Sequence, residues 1–297
     1  MKRKLVFTTA LLCVTLYVPL SLFSQDFEMD GTVLVRYRGN ASNVTIPKNV
    51  TAIGEGAFSG NNGLTRVNIP AGVVSIGKNA FENCYNLSTV TIPSSVTFIG
   101  EYAFASCWSL RNVTIPRSVT HIGEGVFQYC LGLVSITIPN GVTAIGESAF
   151  SSCINLTSVT IPSSVVSIGD SAFSSCSGLT KVTIPASVTS IGKMAFGFCS
   201  GLKSVTIPSS VVSIGDIAFI SCDSLTSVTI SAGVTSIGEG TFLMCGNLKN
   251  VTIPSSVASV GKQAFSGCGN LTTVVLSRRT TIGEEAFPSY AQITYSD

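Results

Sequence analysis

The sequence has few side chains suited to catalysis or metal binding. Only 11% of its 297 residues are charged, and His121 is its single histidine. No CxxC or CxH pair that would suit a zinc site occurs. Nothing near His121 in the sequence supplies the second group that a nucleophile and its base require. The sequence therefore predicts no enzyme, no metal site and no cofactor.

The shortage of charge also restricts the partners. The chain has 17 basic and 15 acidic residues, a formal net charge of +2. Removal of residues 1–24 would take away three basic residues and leave 14 against 15 acidic ones. A chain this close to neutral is not expected to bind nucleic acid.

Repetition is what the sequence has in abundance. The unit LTSVTIPSSVVSIGDSAFSSCSG begins at Leu156 and returns, with small edits, about every 23 residues. Leucine, phenylalanine, proline and cysteine each keep a fixed phase, from Leu64 to Leu271, Phe58 to Phe265, Pro47 to Pro254 and Cys84 to Cys268. A linear array buries its core between neighbouring repeats, so we expect one elongated domain.

Each unit has its own expected local structure. Residues Val159 to Ile161 are β-branched and predict a short strand that ends at Pro162, which has no N–H to donate. A second short strand is predicted from Val165 to Ile168, followed by a turn at Gly169 and about two helical turns over residues 170–176. Stacking in register at about 4.8 Å would place the first strands in one parallel sheet.

The two ends of the chain differ from the repeats. Residues 1–24 have the basic, apolar and small-residue order of a secretory signal peptide, with a membrane anchor and a lipid-modified Cys13 as alternatives. Residues 25–40 contain a strand pattern from Val33 to Tyr37 and are interpreted as an N-terminal cap. The repeats would fill 41–276, and the shortened unit in 277–297, with its added charges, is interpreted as a C-terminal cap and tail.

The motif LxxVxIPxxVxxIGxxAFxxC resembles that of the BspA-like leucine-rich repeat proteins over residues 41–287. The resemblance implies a leucine-rich repeat solenoid on an exported protein of a host-associated microbe, commonly a surface protein involved in adhesion. It does not identify a ligand.

Three repeated positions have ordinary structural explanations. The nine phased cysteines are interpreted as buried free thiols, because side chains about 4.8 Å apart exceed the usual Cβ separation of a disulfide, about 3.5–4.5 Å. Eight of the eleven charged residues that follow the turn glycines are acidic, which favours capping of a short helix over a calcium site. An outward ladder of threonines, from Thr91 to Thr252, is explained by β propensity better than by recognition of ice or polysaccharide.

Departures from the repeat are more informative. Directly after the cysteine, where later units carry Ser, Asp or Gly, four consecutive units carry Tyr85, Trp108, Leu131 and Ile154. Bulky residues also replace small ones elsewhere in the same units, at Phe98, Tyr102 and Tyr129. Apolar clusters rimmed by polar surface often mark interaction sites, and Tyr and Trp are favoured anchors, although local packing is the alternative explanation.

Together with the role that the family resemblance implies, these observations predict a secreted or cell-surface, non-catalytic binding protein, a microbial adhesin. Its partner would be a host extracellular-matrix or cell-surface protein, or another microbial surface protein. Contact with a membrane is expected only through the export signal or an anchor that the sequence does not reveal. The alternative is a structural, self-associating surface protein without a dedicated ligand.

Overall fold

A computed structural model describes residues 26–296 as a stack of coils, each of about 23 residues. The predicted signal peptide falls outside the described residues. Each coil offers one segment to a main sheet and one to a second sheet, and both sheets are parallel within the stack. The main-sheet strands are β3 (Asn43–Thr45), β5 (Arg66–Asn68), β7 (Thr89–Thr91), β9 (Ser135–Thr137), β11 (Ser158–Thr160), β14 (Ser204–Ile207), β16 (Ser227–Ile230), β18 (Asn250–Thr252), β20 (Thr273–Leu276) and β22 (Gln292–Tyr295).

The second sheet begins with an antiparallel hairpin and continues with two-residue strands. β1 (Phe27–Asp30) pairs with β2 (Val33–Tyr37), and β2 pairs in parallel with the first coil. The strand predicted from Val33 to Tyr37 is therefore present. The two-residue strands are β4 (Ala52–Ile53), β6 (Ser75–Ile76), β8 (Phe98–Ile99), β10 (Ala144–Ile145), β12 (Ser167–Ile168), β13 (Ser190–Ile191), β15 (Ser213–Ile214), β17 (Ser236–Ile237), β19 (Ser259–Val260) and β21 (Thr281–Ile282).

The core lies between the two sheets and the turn segments. Ten phenylalanines, from Phe58 to Phe265, are buried and follow one another with ring centroids 4.9 to 5.6 Å apart. These separations fall in the range favoured by offset aromatic pairs. The repeated Leu, Val and Ile side chains are buried around this column. The predicted leucine-rich repeat solenoid is thus confirmed, with its core continuous from coil to coil.

The expectation of one continuous main sheet is wrong. Its strands pair in four separate groups: β3 with β5 and β7, β9 with β11, β14 with β16, and β18 with β20 and β22. Single bridges replace strands at two of the three gaps, between Thr89 and Asn112 and between Ser158 and Lys181. The second sheet is divided once, into β1 to β8 and β10 to β21.

The predicted helical turns are absent from residues 26–296. In the segment after Gly169, Ala172 N, Ser174 N and Cys176 N bond to carbonyls three residues back. The amides between these bond to the next coil instead, as Phe173 N does to Ala195 O at 2.8 Å. Ser171 and Ser175 have φ of 53° and 60°, which breaks any helical path. The segment is a chain of tight turns because every second N–H ties one coil to the next.

The turn glycines are required for close approach between coils. A Cβ at Gly100 would lie 2.5 Å from Lys78 N and 2.7 Å from Gly77 C, both in the preceding coil. Gly123 is the exception, since the nearest atoms to its added Cβ would be 3.9 Å away. The bonds from Thr120 N and Gly123 N to the preceding coil, present at these phases on both sides, are missing here. Coil 110–132 therefore stands slightly apart from coil 87–109 along the second sheet.

Candidate functional site

The aromatic edge, which we define as Tyr85, Trp108, Leu131 and Ile154, lies at the corner between the turn segments and the main sheet. Backbone bonds between coils fix this corner. Ser109 N donates to Tyr85 O at 3.0 Å, and Gly132 N donates to Trp108 O at 2.8 Å. The Asn155 side-chain amide donates to Leu131 O at 2.8 Å. The four side chains consequently follow one another along the stack.

Two members of the aromatic edge stack directly. The Tyr85 and Trp108 rings have centroids 4.1 Å apart and an interplanar angle of 25°. One face of the indole is therefore covered, yet Trp108 remains 46% exposed. Ile154 is exposed, whereas Tyr85 and Leu131 are half-buried. The aromatic edge is therefore an apolar surface in which packing holds Tyr85 and Trp108 together before any partner binds.

A surface depression of about 730 Å³ lies beside the indole of Trp108. Its wall combines apolar surface from Trp108 and Val134 with the guanidinium of Arg111 and the amides of Asn86 and Asn155. The remaining lining residues are small: Thr65, Ser88, Ser109, Gly132 and Thr157. Such a mixture of an aromatic anchor and polar groups suits recognition of a protein side chain better than chemistry.

The other three predicted site residues lie elsewhere. Phe98 is exposed on β8 of the second sheet, and Tyr129 is exposed in the turn segment, two residues before Leu131. Tyr102 lies in the preceding turn segment, where its hydroxyl bonds the Glu124 carboxylate. That hydrogen bond, followed by burial, raises the pKa of Tyr102 to about 12. Tyr129 is therefore close in sequence to the aromatic edge, whereas Phe98 lies on the second sheet and Tyr102 is bonded to Glu124 of the next coil.

Several lining residues were missed in the sequence. Val134 is exposed at a phase where Thr157 and Thr226 stand in other coils, so the same comparison that found Trp108 could have found it. Arg111 departs from the repeat in the same way. Asn86 and Asn155 recur along the array as asparagines and gave no such signal.

The nine cysteines from Cys84 to Cys268 are buried and unpaired, as predicted. Each thiol donates to the carbonyl of the phenylalanine 26 residues earlier, as in Cys153 Sγ to Phe127 O at 3.2 Å and Cys176 Sγ to Phe150 O at 3.2 Å. Burial raises the pKa of the Cys84 thiol to about 12 and that of the Cys153 thiol well above its ordinary value. Protonated, hydrogen-bonded thiols of this kind are structural and poorly reactive.

The charged residues that follow the turn glycines do not cap helices, because residues 26–296 form no helix. The Asp170 carboxylate instead accepts from Lys193 N at 2.8 Å, and that of Asp216 accepts from Glu239 N at 2.8 Å. These carboxylates therefore fasten one coil to the next. Residues 26–296 hold no cluster of three metal-ligating side chains, and none of their segments is a helix able to cross a membrane.

A parallel stack of strand-bearing coils, with a buried leucine at each corner and an exposed edge, defines a leucine-rich repeat solenoid. A family model described as "BspA type Leucine rich repeat region (6 copies)" matches residues 36–155, 120–238 and 166–294. The chain therefore belongs to the BspA-type leucine-rich repeat family.

Solved structures agree with this assignment. A leucine-rich repeat protein from Bacteroides ovatus is 27% identical with a TM-score of 0.64, over 90% of this chain and 88% of that one. A leucine-rich cell surface protein from Faecalibacterium prausnitzii is 30% identical with a TM-score of 0.53, over 91% and 92%. The pneumococcal vaccine antigen PcpA shares the fold at 19% identity and a TM-score of 0.61, over 86% and 69%. No match is found among functionally curated proteins.

Proposed function

We propose that the protein is an exported, non-catalytic adhesin that holds a host or neighbouring-cell protein on its aromatic edge. The observation that carries this proposal is the Tyr85–Trp108 stack beside a depression of about 730 Å³. Pre-ordered aromatic anchors lose little conformational entropy on binding, and such residues dominate binding energy in protein interfaces. The cell-surface description of the F. prausnitzii protein supports the proposed location.

The test is a binding panel of extracellular-matrix proteins and mucins, measured with the parent protein and with Trp108→Ala. Loss of the indole should weaken binding by about 2 kcal/mol, roughly thirtyfold, because the depression loses its principal apolar wall. Phe198→Ala is the matched control, since Phe198 is 43% exposed in the turn segment of another coil. Equal affinities for Trp108→Ala and the parent protein would remove the aromatic edge from the interface.

Self-association is the second candidate function, and the open edge of β22 favours it. All four residues of Gln292–Tyr295 are exposed, and within residues 26–296 this strand pairs with β20 alone. Unpaired strand edges are templates for pairing with another chain. Sedimentation of the purified protein at micromolar concentration distinguishes the candidates, since a stable monomer would exclude this one.

A further inference from the structure

The charges of the coils are separated onto different faces. We define the main face as the seven residues that follow each repeat leucine, such as 157–163, which comprise the main-sheet strand and the corner after it. Across residues 41–276 these segments contain no Asp or Glu. Their basic residues are Lys48, Arg66, Arg111, Arg117, Lys181, Lys203 and Lys249.

The carboxylates of the same coils lie on the turn side. Eight of the nine follow the turn glycine or lie in the turn segment after it, and Asp223 is on the corner that carries the aromatic edge. A net charge near zero therefore conceals a main face that is purely basic and a turn side that is predominantly acidic. Composition alone gives no sign of this arrangement.

The seven basic side chains are exposed and lack internal partners. The ion pairs of Arg38 with Glu28, of Lys78 with Glu101 and of Lys262 with Glu284 involve none of them. Apart from their basic residues, the outward positions of the main face carry Ser, Thr, Asn and a few small apolar side chains. A surface lined by one sign of charge attracts ligands of the other sign.

The shape of the main face suits an extended ligand. Lys48 and Lys249 lie nine coils apart, which corresponds to about 40 Å at the strand spacing of a sheet. Coil 110–132 places one arginine at each end of its main-face segment. Arg117 lines a depression of about 690 Å³ with Asn112, Thr114, Ser135 and Thr137. Arg111 lines the depression beside Trp108.

We propose that the main face binds a linear anionic polysaccharide. The hydroxyl and amide side chains would hydrogen-bond sugar hydroxyls, and the Lys and Arg side chains would pair with carboxylate or sulfate groups. Nucleic acid fits less well, because the main face of residues 41–276 has no aromatic residue on which bases could stack.

Heparin is the probe, and two triple variants of equal charge test the face. The sheet-lysine variant carries Lys181→Gln, Lys203→Gln and Lys249→Gln. The turn-lysine variant carries Lys78→Gln, Lys193→Gln and Lys262→Gln. At low ionic strength we expect the sheet-lysine variant to bind heparin at least about tenfold more weakly, and the turn-lysine variant to stay within about twofold of the parent protein.

Further measurements distinguish this proposal from the adhesin proposal and distinguish an anionic polysaccharide from other polyanions. Trp108→Ala should retain heparin binding even where it abolishes protein binding, since it removes no charge. In the parent protein, bound heparin should protect Lys181 and Lys203, but not Lys193, from acetylation. Equal losses in both triple variants, equal binding of a neutral dextran, or tighter binding of an oligothymidylate than of heparin would each overturn the proposal.

Discussion

Replacement of Gly100 by alanine should destabilise the solenoid, because its coil packs directly on the backbone of the coil before it. The new Cβ would lie 2.5 Å from Lys78 N and 2.7 Å from Gly77 C, and backbone atoms cannot rotate away. Relief of this overlap would also strain the 2.8 Å bond from Gly100 N to Ile76 O. Overpacking of this kind costs about 1–3 kcal/mol.

Gly123 provides the matched control in the next coil, within the same Ile-Gly-Glu sequence. Its added Cβ would meet only side-chain atoms of Val126 and Glu101, at 3.9 and 4.0 Å. Its φ is not positive, so alanine is conformationally allowed. Gly123→Ala should be neutral or stabilise the fold by about 0.4–1 kcal/mol, because alanine reduces the entropy of the unfolded chain.

Urea denaturation followed by far-ultraviolet circular dichroism measures both variants. The midpoint of Gly100→Ala should fall and that of Gly123→Ala should hold or rise, with similar slopes. If the two variants lose the same stability, close approach between coils does not explain the glycine row. If only Gly123→Ala lost stability, that result would contradict the wider separation between coils 87–109 and 110–132.

The remaining predictions concern the buried thiols. Native protein should resist alkylation by N-ethylmaleimide at neutral pH, and all nine phased cysteines should react after unfolding; rapid labelling of Cys153 in the folded protein would contradict its burial. The folded pKa of Cys84, about 12, lies above the value near 8.5 expected for an unfolded thiol. The contribution of Cys84 to the free energy of unfolding is therefore complete below about pH 8.5. Above that pH it falls by about 1.4 kcal/mol per pH unit. Stability that rises between pH 9 and 10 would refute this sign.

Much of the fold could be predicted because each coil repeats the same pattern of buried apolar residues and turn residues. The phase of Phe173 and Cys176 placed both in the core, and the alternation around Val159 predicted the main-sheet strand within one residue. The prediction of helical turns was wrong because the pattern of residues 170–176 is typical of a helix when a single repeat is considered alone. Their alternate N–H groups bond to the next coil, a contact that depends on the stack and not on local propensity.

The candidate site was only partly predictable. Comparison at the phase after the cysteine singled out the four residues of the aromatic edge, and comparison at other phases added Phe98, which lies on the second sheet. A departure from consensus marks an unusual residue without stating which side of the coil it occupies. The basic main face and the acidic turn side could have been found by sorting Lys, Arg, Asp and Glu by their position in the repeat. The net charge of the chain gives no indication of this separation.

The interruption at coil 110–132 has a consequence for how the protein comes apart. In a linear array, stability is a sum of terms within units and couplings between neighbours, so melting halts at the weakest coupling. On the second-sheet side no strand pairing crosses from coil 87–109 to coil 110–132, and on the main-sheet side only a single bridge, between Thr89 and Asn112, crosses. We therefore expect the coils before this boundary and the coils after it to unfold as two cooperative blocks, which two classes of hydrogen-exchange rate would show. Trp108 belongs to the first block and Leu131 to the second, so a partner seated on the aromatic edge would act as a clamp across the boundary.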